Sequence, residues 1–110
     1  MTLYTIGYEG RELDAFIFRL KLYHVSRVID VRDIPVSHNR EFSQDALRER
    51  LTAEKIEYVH VSHLRGICQH VAHGVNCIMS YERSSLAGRR ELLIRKLQSL
   101  FKNQIQVQNL

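Results

Sequence analysis

The sequence predicts an α/β protein: a small three-layer, mostly parallel sheet of about four to five strands with flanking helices, Rossmann-like in architecture. Three observations predict it. Strand-like runs alternate along the chain with segments of helical period, the pattern that yields parallel neighbours joined by crossover helices. The run Arg27-Val28-Ile29-Asp30-Val31-Arg32 has a β-branched core, which suggests burial on both faces, as in a parallel sheet. The length, 110 residues with 45% hydrophobic, fits one domain with a small, mainly aliphatic core, spanning 1–110.

The elements follow in order. Leu3-Tyr4-Thr5-Ile6-Gly7 is a short apolar run of strand formers ended by Gly. Leu13, Phe16, Ile17 and Leu20 recur at helical spacing, which predicts an amphipathic helix over 12–23. The second strand, 27–32, leads into a loop, 33–42, that contains Pro35. Ser43 is a plausible N-cap for a second helix over 44–54, with Leu47 and Leu51 facing inward. Tyr58-Val59-His60-Val61 reads as a third strand and Val75-Asn76-Cys77-Ile78-Met79 as a fourth. A third helix, about 88–102, presents Leu93, Leu97, Leu100 and Phe101 on one side, and Ile105-Gln106-Val107 is short but able to close the sheet as a fifth strand. No internal repeat interrupts this order.

Composition narrows the class of function. The amino-terminal MTLYTIGYEG lacks the basic and apolar regions of a signal peptide, and no apolar run approaches the roughly 20 residues that cross a bilayer. A cytoplasmic protein without a membrane partner is therefore expected. Cys68 and Cys77 are too few for a disulfide scaffold and are expected to be reduced. A formal charge of +4 tolerates an anionic ligand or nucleic acid without requiring either.

Four local sequences, TIGYEG, VIDVRDIPVS, EFSQDALRERL and KIEYVHVSHLRG, look like successive blocks of the domain-of-unknown-function 488 family and cover most of residues 4–66. The resemblance implies an intracellular α/β domain and no established substrate or cofactor. The second half departs from the family pattern. CIMSYE keeps Glu82 of the family's Cys-x-Glu block but has Ser80 in place of the Cys. Gly88-Arg89-Arg90 stands where the family has Cys-His-Arg and retains only Arg90, and the stretch between LRG and CIMSYE is short.

In open α/β sheets ligands bind beyond the carboxyl ends of the strands. That rule selects Tyr8, Gly10, Asp30, Arg32, His60 and Glu82. Gly7 and Gly10 bracket the first strand-to-helix turn beside Arg11. The turn reads either as a plain tight turn or as a place where backbone N–H groups approach an anion. Asp30 and Arg32 are two apart and so point to one side of the strand. They either pair and brace the following loop, or Arg32 binds an anionic group while Asp30 orients a donor or acts as a base. Glu82 would complete a catalytic carboxylate pair with Asp30. Arg89 and Arg90, in the first turn of the last helix, oppose the helix dipole, and a bound anion would compensate. Tyr8 and Ser37 complete the candidate ligand contacts; Ser37-His38 is no nucleophile–base pair, because no nucleophile elbow surrounds the serine.

His60, His63, Cys68, His70, His73 and Cys77 follow no standard zinc spacing, so no metal and no cofactor is expected. Three functions compete. The first is binding of a small anionic or nucleotide-like ligand at the carboxyl edge. The second is nucleic-acid binding through Arg89, Arg90, Arg95 and Lys96. The third is an interaction domain forming a homodimer, with a truncated crossover between the third and fourth strands leaving an edge to pair.

Overall fold

The computed structural model describes residues 2–83, 88–102 and 104–110, apart from the side chains of Gly88 and Arg89. Five strands, β1 (Thr2–Gly7), β2 (Arg27–Asp30), β3 (Glu57–His60), β4 (Asn76–Ser80) and β5 (Gln106–Asn109), form one parallel sheet in the order β3-β2-β4-β1-β5. Four helices connect them: α1 (Leu13–Leu22), α2 (Gln44–Ala53), α3 (Leu64–Val71) and α4 (Gly88–Leu100). The α/β expectation holds, and every strand pairing is parallel.

The strand order fixes which helix covers which face. From β1 through β2 to β3 the chain moves toward one edge; from β3 through β4 to β5 it moves back. Right-handed crossovers then place α1 and α2 on one face and α3 and α4 on the other. The core is divided accordingly. Phe16, Leu20, Leu47 and Leu51 pack with Ile6, Val28 and Met79 on the first face. Ile67, Val71, Leu93 and Leu97 pack with Leu3, Ile29 and Ile78 on the second. β4 is buried along its whole length, between β1 and β2.

The β3–β4 crossover is short but complete. It carries α3, whose Leu64, Ile67, Cys68 and Val71 recur at helical spacing and pack on the second face. His63 accepts a hydrogen bond from the Gly66 N–H through Nδ1, capping the helix start. Gly66 is required because a Cβ there would lie 2.4 Å from Val61 Cγ1. At the other end Arg27 Nη1 donates to the carbonyls of His70 and His73, and Asn76 Nδ2 donates to the same two. The sheet edges are β3 and β5. The crossover thus runs from the edge strand β3 to the interior strand β4.

Ser43 sits at the N-cap of α2, but its hydroxyl does not cap the helix. It accepts from the Ser37 N–H at 3.1 Å and so ties down the preceding loop. His24, Lys55 and Lys102, just beyond α1, α2 and α4, take left-handed φ values of 57°, 61° and 53°. The helices thus stop without the glycine that usually marks such an end.

Cys77 is fully buried, and burial pushes its thiol well above the ordinary range, whereas Cys68 is half-buried. A thiol reagent applied to the native protein is expected to label Cys68 and to reach Cys77 only after denaturation. Mass spectrometry of labelled peptides checks this; equal labelling of both in the native state would contradict the packing of β4.

Among the described residues no helix is long and apolar enough to cross a membrane.

Candidate functional site

The carboxyl ends of β1, β4 and β2 lie side by side, yet their chains diverge. β1 and β2 lead to helices on the first face and β4 leads to α4 on the second. This divergence opens a crevice of the kind that binds ligands in α/β sheets. A cleft of about 850 Å³ occupies it, lined by Tyr8 and Arg11 from the β1–α1 turn, Arg32 and Phe42 from the segment after β2, and Tyr81 after β4.

The floor of the cleft is an ion pair that the sequence spacing anticipated. Asp30 is fully buried, and Arg32 nearly so. Arg32 Nη2 donates to Asp30 Oδ2 at 2.6 Å and Nε to Asp30 Oδ1 at 2.9 Å. The Arg32 backbone N–H also donates to Asp30 Oδ1, at 3.0 Å. On its far side Nη1 reaches the Phe42 carbonyl at 2.7 Å and the Tyr8 hydroxyl at 3.3 Å. Tyr58 donates its hydroxyl to Asp30 Oδ2 at 2.5 Å. His60 Nε2 donates to the Arg32 carbonyl at 2.6 Å, which places the proton on that nitrogen. Burial disfavours the Arg32 charge, but the Asp30 carboxylate more than offsets it, so its pKa is raised. Burial, reinforced by the same carboxylate, pushes the Tyr58 hydroxyl up as well. Of the two readings open from the sequence, the mutual pair bracing the loop is the contact actually made. It ties β1, β2, β3 and the 33–42 loop together at one point.

The walls are aromatic. Phe16 in the core meets Phe42 edge-on, with ring centroids 5.2 Å apart. Phe42 stacks on Tyr8 at 4.7 Å, and Tyr8 meets the edge of Tyr81 at 5.4 Å. This series of rings runs from the core to the surface, where Tyr81 is 52% exposed. On the opposite rim Ile34 and Val36 are 72% and 63% exposed. Gly10 adopts φ +70°, and a Cβ there would meet nothing within 4 Å, so the space above its backbone is open.

The expected site residues are therefore partly assembled. Tyr8, Gly10, Arg32 and Ser37 all line the cleft. Asp30 lies beneath it, behind Arg32. Glu82 is half-buried and is not a lining residue; its carboxylate helps sustain the charge of Arg90. Arg89 is in the first turn of α4, and its side chain lies outside the described residues. Arg90 is fully buried; Nη2 donates to the Arg83 carbonyl at 3.3 Å, Nε and Nη1 have no hydrogen-bond partner among the described residues, and burial lowers its pKa. Arg95, another of the cations expected to meet nucleic acid, is exposed on α4 and paired with Glu91 at 2.8 Å. The histidines are dispersed: His60 binds the Arg32 carbonyl, His63 caps α3, and the His70 and His73 carbonyls are held by Arg27 and Asn76. Among the described residues no group of three potential ligands could hold a metal.

Sequence reasoning passed over Phe42, Tyr58 and Tyr81 as site residues, and noted Arg11 only as a neighbour of the glycines. Tyr81 stands between the two residues of the CIMSYE block that were compared with the family, Ser80 and Glu82. Position after a strand end, rather than residue chemistry, is the signal that would have found it.

The pattern of the family described as Domain of unknown function DUF488 matches residues 12–67, from the amino end of α1 into α3. No curated protein and no solved structure matches the chain. The matched segment contains Asp30, Arg32, Ser37, Phe42 and Tyr58, and so supplies the brace and one wall of the cleft. Because the match spans more than half of the sequence, the chain belongs to the DUF488 family of domains of unknown function.

Proposed function

We propose that the chain binds a small anionic, nucleotide-like ligand in the cleft beyond the carboxyl ends of β1, β2 and β4. The observation that carries this reading is the exposed apolar lining: Tyr81, Ile34 and Val36 face solvent around a cavity of about 850 Å³. Leaving such side chains exposed around a concave site favours an occupant with a flat, apolar part. Arg11 from the β1–α1 turn also lines the cleft, and a guanidinium there suits an anionic group on the same ligand. The burial of Arg90 and the pairing of Arg95 leave the basic face proposed for nucleic acid with less free charge, so a cleft ligand is the better-supported reading.

The test is a titration with nucleoside monophosphates followed by tyrosine fluorescence, since the chain has five Tyr and no Trp. The wild type is expected to bind one or more of them. Tyr81→Ala is expected to weaken that binding by roughly 5- to 100-fold, the usual worth of one stacking ring. Tyr81 is half-exposed, so the variant should keep its fold. Absence of wild-type binding at millimolar ligand, or unchanged affinity in Tyr81→Ala, would reject the site.

A further inference from the structure

Tyr81 is the ring that the cleft offers to an occupant, yet 52% of it faces solvent, so its own packing does not fix its direction. What holds it is backbone. Gly7 and Ser80, the last residues of β1 and β4, are partners in the sheet. The ladder continues past them: the Tyr8 N–H donates to the Ser80 carbonyl at 3.2 Å, and the Glu9 N–H donates to the Tyr81 carbonyl at 2.9 Å. These carbonyls belong to the two planar peptide groups that flank the Tyr81 Cα, so both sides of that residue are tied to the chain leaving β1. The ring then meets the edge of Tyr8, with centroids 5.4 Å apart.

Beyond Tyr81 the chain crosses over Gly7. A Cβ on Gly7 would overlap the Glu82 carbonyl and lie 2.6 Å from Arg83 Cα. These are backbone atoms, which cannot turn aside as the end of a long side chain can. Any larger residue at this position has to push the crossing away from β1. Two side chains fasten the crossing at Arg83. Glu9 Oε1 accepts from the Arg83 N–H at 3.3 Å, and the fully buried Arg90 donates Nη2 to the Arg83 carbonyl at 3.3 Å.

We propose that Gly7 is a positioning residue for the cleft: by letting the Glu82–Arg83 backbone lie against β1, it sets the direction of Tyr81 and so the surface on which a ligand's flat part rests. Glu9 and Arg90 hold the same crossing in place. This rests on the cleft being a ligand site. Gly7 is buried and does not line the cleft, so it acts on a ligand only through the tyrosine. A wall oriented before binding spares the ligand the cost of ordering it.

Two readouts test this in wild type and Gly7→Ala. Nuclear Overhauser contacts between the Tyr8 and Tyr81 rings report the wall itself. They should be present in the wild type and absent in Gly7→Ala, while contacts between Phe16 and Phe42 persist and report that the variant is folded. Titration with AMP, GMP, CMP and UMP reports the consequence. Gly7→Ala should weaken binding roughly 5- to 100-fold, the range expected for Tyr81→Ala, and should cost nothing further in a Tyr81→Ala background. A general loss of structure would instead cost the same factor in both backgrounds. If Gly7→Ala does not fold, Glu9→Ala and Glu9→Gln decide, since Glu9 is exposed: alanine removes the acceptor of the Arg83 N–H and should weaken the ring contact, whereas glutamine keeps an accepting oxygen and should retain it. A ring contact absent from the wild type or unchanged in the deciding alanine variant, or a loss of affinity that adds fully to that of Tyr81→Ala, overturns the positioning role but leaves the cleft as a ligand site. Absence of wild-type binding overturns the cleft reading, and the ring contact then still decides whether Gly7 sets the direction of Tyr81.

Discussion

Arg32→Met is expected to lower the stability of the chain by about 3–5 kcal/mol, because it leaves the fully buried Asp30 carboxylate without its counter-charge. Domains of this size have total stabilities of about 5–15 kcal/mol, so the loss is a large part of the whole. The Phe42 carbonyl and the Tyr8 hydroxyl would lose a donor at the same time. Asp30→Asn should cost a comparable amount, since it strands the buried guanidinium and weakens the Tyr58 contact. Urea unfolding of the two single variants and the double variant measures the coupling. If the pair is a brace, the double variant loses clearly less than the sum of the singles. A loss below about 1 kcal/mol in Arg32→Met, the range of an exposed ion pair, would mean that the guanidinium is available to a ligand after all. This prediction makes Arg32→Ala a poor probe of binding: any ligand would seem to be lost along with the fold.

The pair Asp30–Arg32 shows what the sequence exposed and what it hid. Two residues apart on a strand means one face, so the closeness of Asp30 and Arg32 followed from spacing alone. Whether their charges satisfied each other or a ligand depended on Tyr58, Phe42 and Tyr8, which come from distant parts of the chain. The first four strands were legible because each holds a short β-branched or apolar run between polar turns, whereas β5, QVQN, has only Val107 to mark it. The order of the strands was not legible, since no local signal says that β4 inserts between β1 and β2. That insertion brings Tyr81 beside Tyr8, so the cleft was legible as a sheet edge but not as a set of residues. Helix α3 has the apolar spacing of a helix at Leu64, Ile67, Cys68 and Val71, but over only eight residues, and the sequence reading of that stretch turned on its histidines instead. Arg90 was expected to meet an anion from its helix-start position; its side chain is fully buried in the fold.

Phe42→Ala is expected to cost about 3–5 kcal/mol, as large as the loss of the ion pair, although Phe42 lies in a segment whose sequence reads as loop. The ring is fully buried and stands between Phe16 in the core and Tyr8 at the cleft. Removing it opens a cavity that Tyr8, held by Arg32, and Phe16, held in α1, cannot both collapse to fill. The loss of stacking beneath Tyr8 would also loosen the wall on which Tyr81 rests. Phe42→Leu, which keeps most of the volume, should cost much less, within about 1.5 kcal/mol. Urea unfolding measures both stabilities, and tyrosine near-ultraviolet dichroism reports whether the rings of the cleft stay ordered. A small effect of Phe42→Ala with unchanged tyrosine signal would show that the aromatic series is incidental. The expected result, a large loss for alanine and a modest one for leucine, would show that the cleft's shape is set by the same packing that stabilises the core. In that case the cleft is preorganised, and a ligand's affinity is not reduced by the cost of ordering its walls.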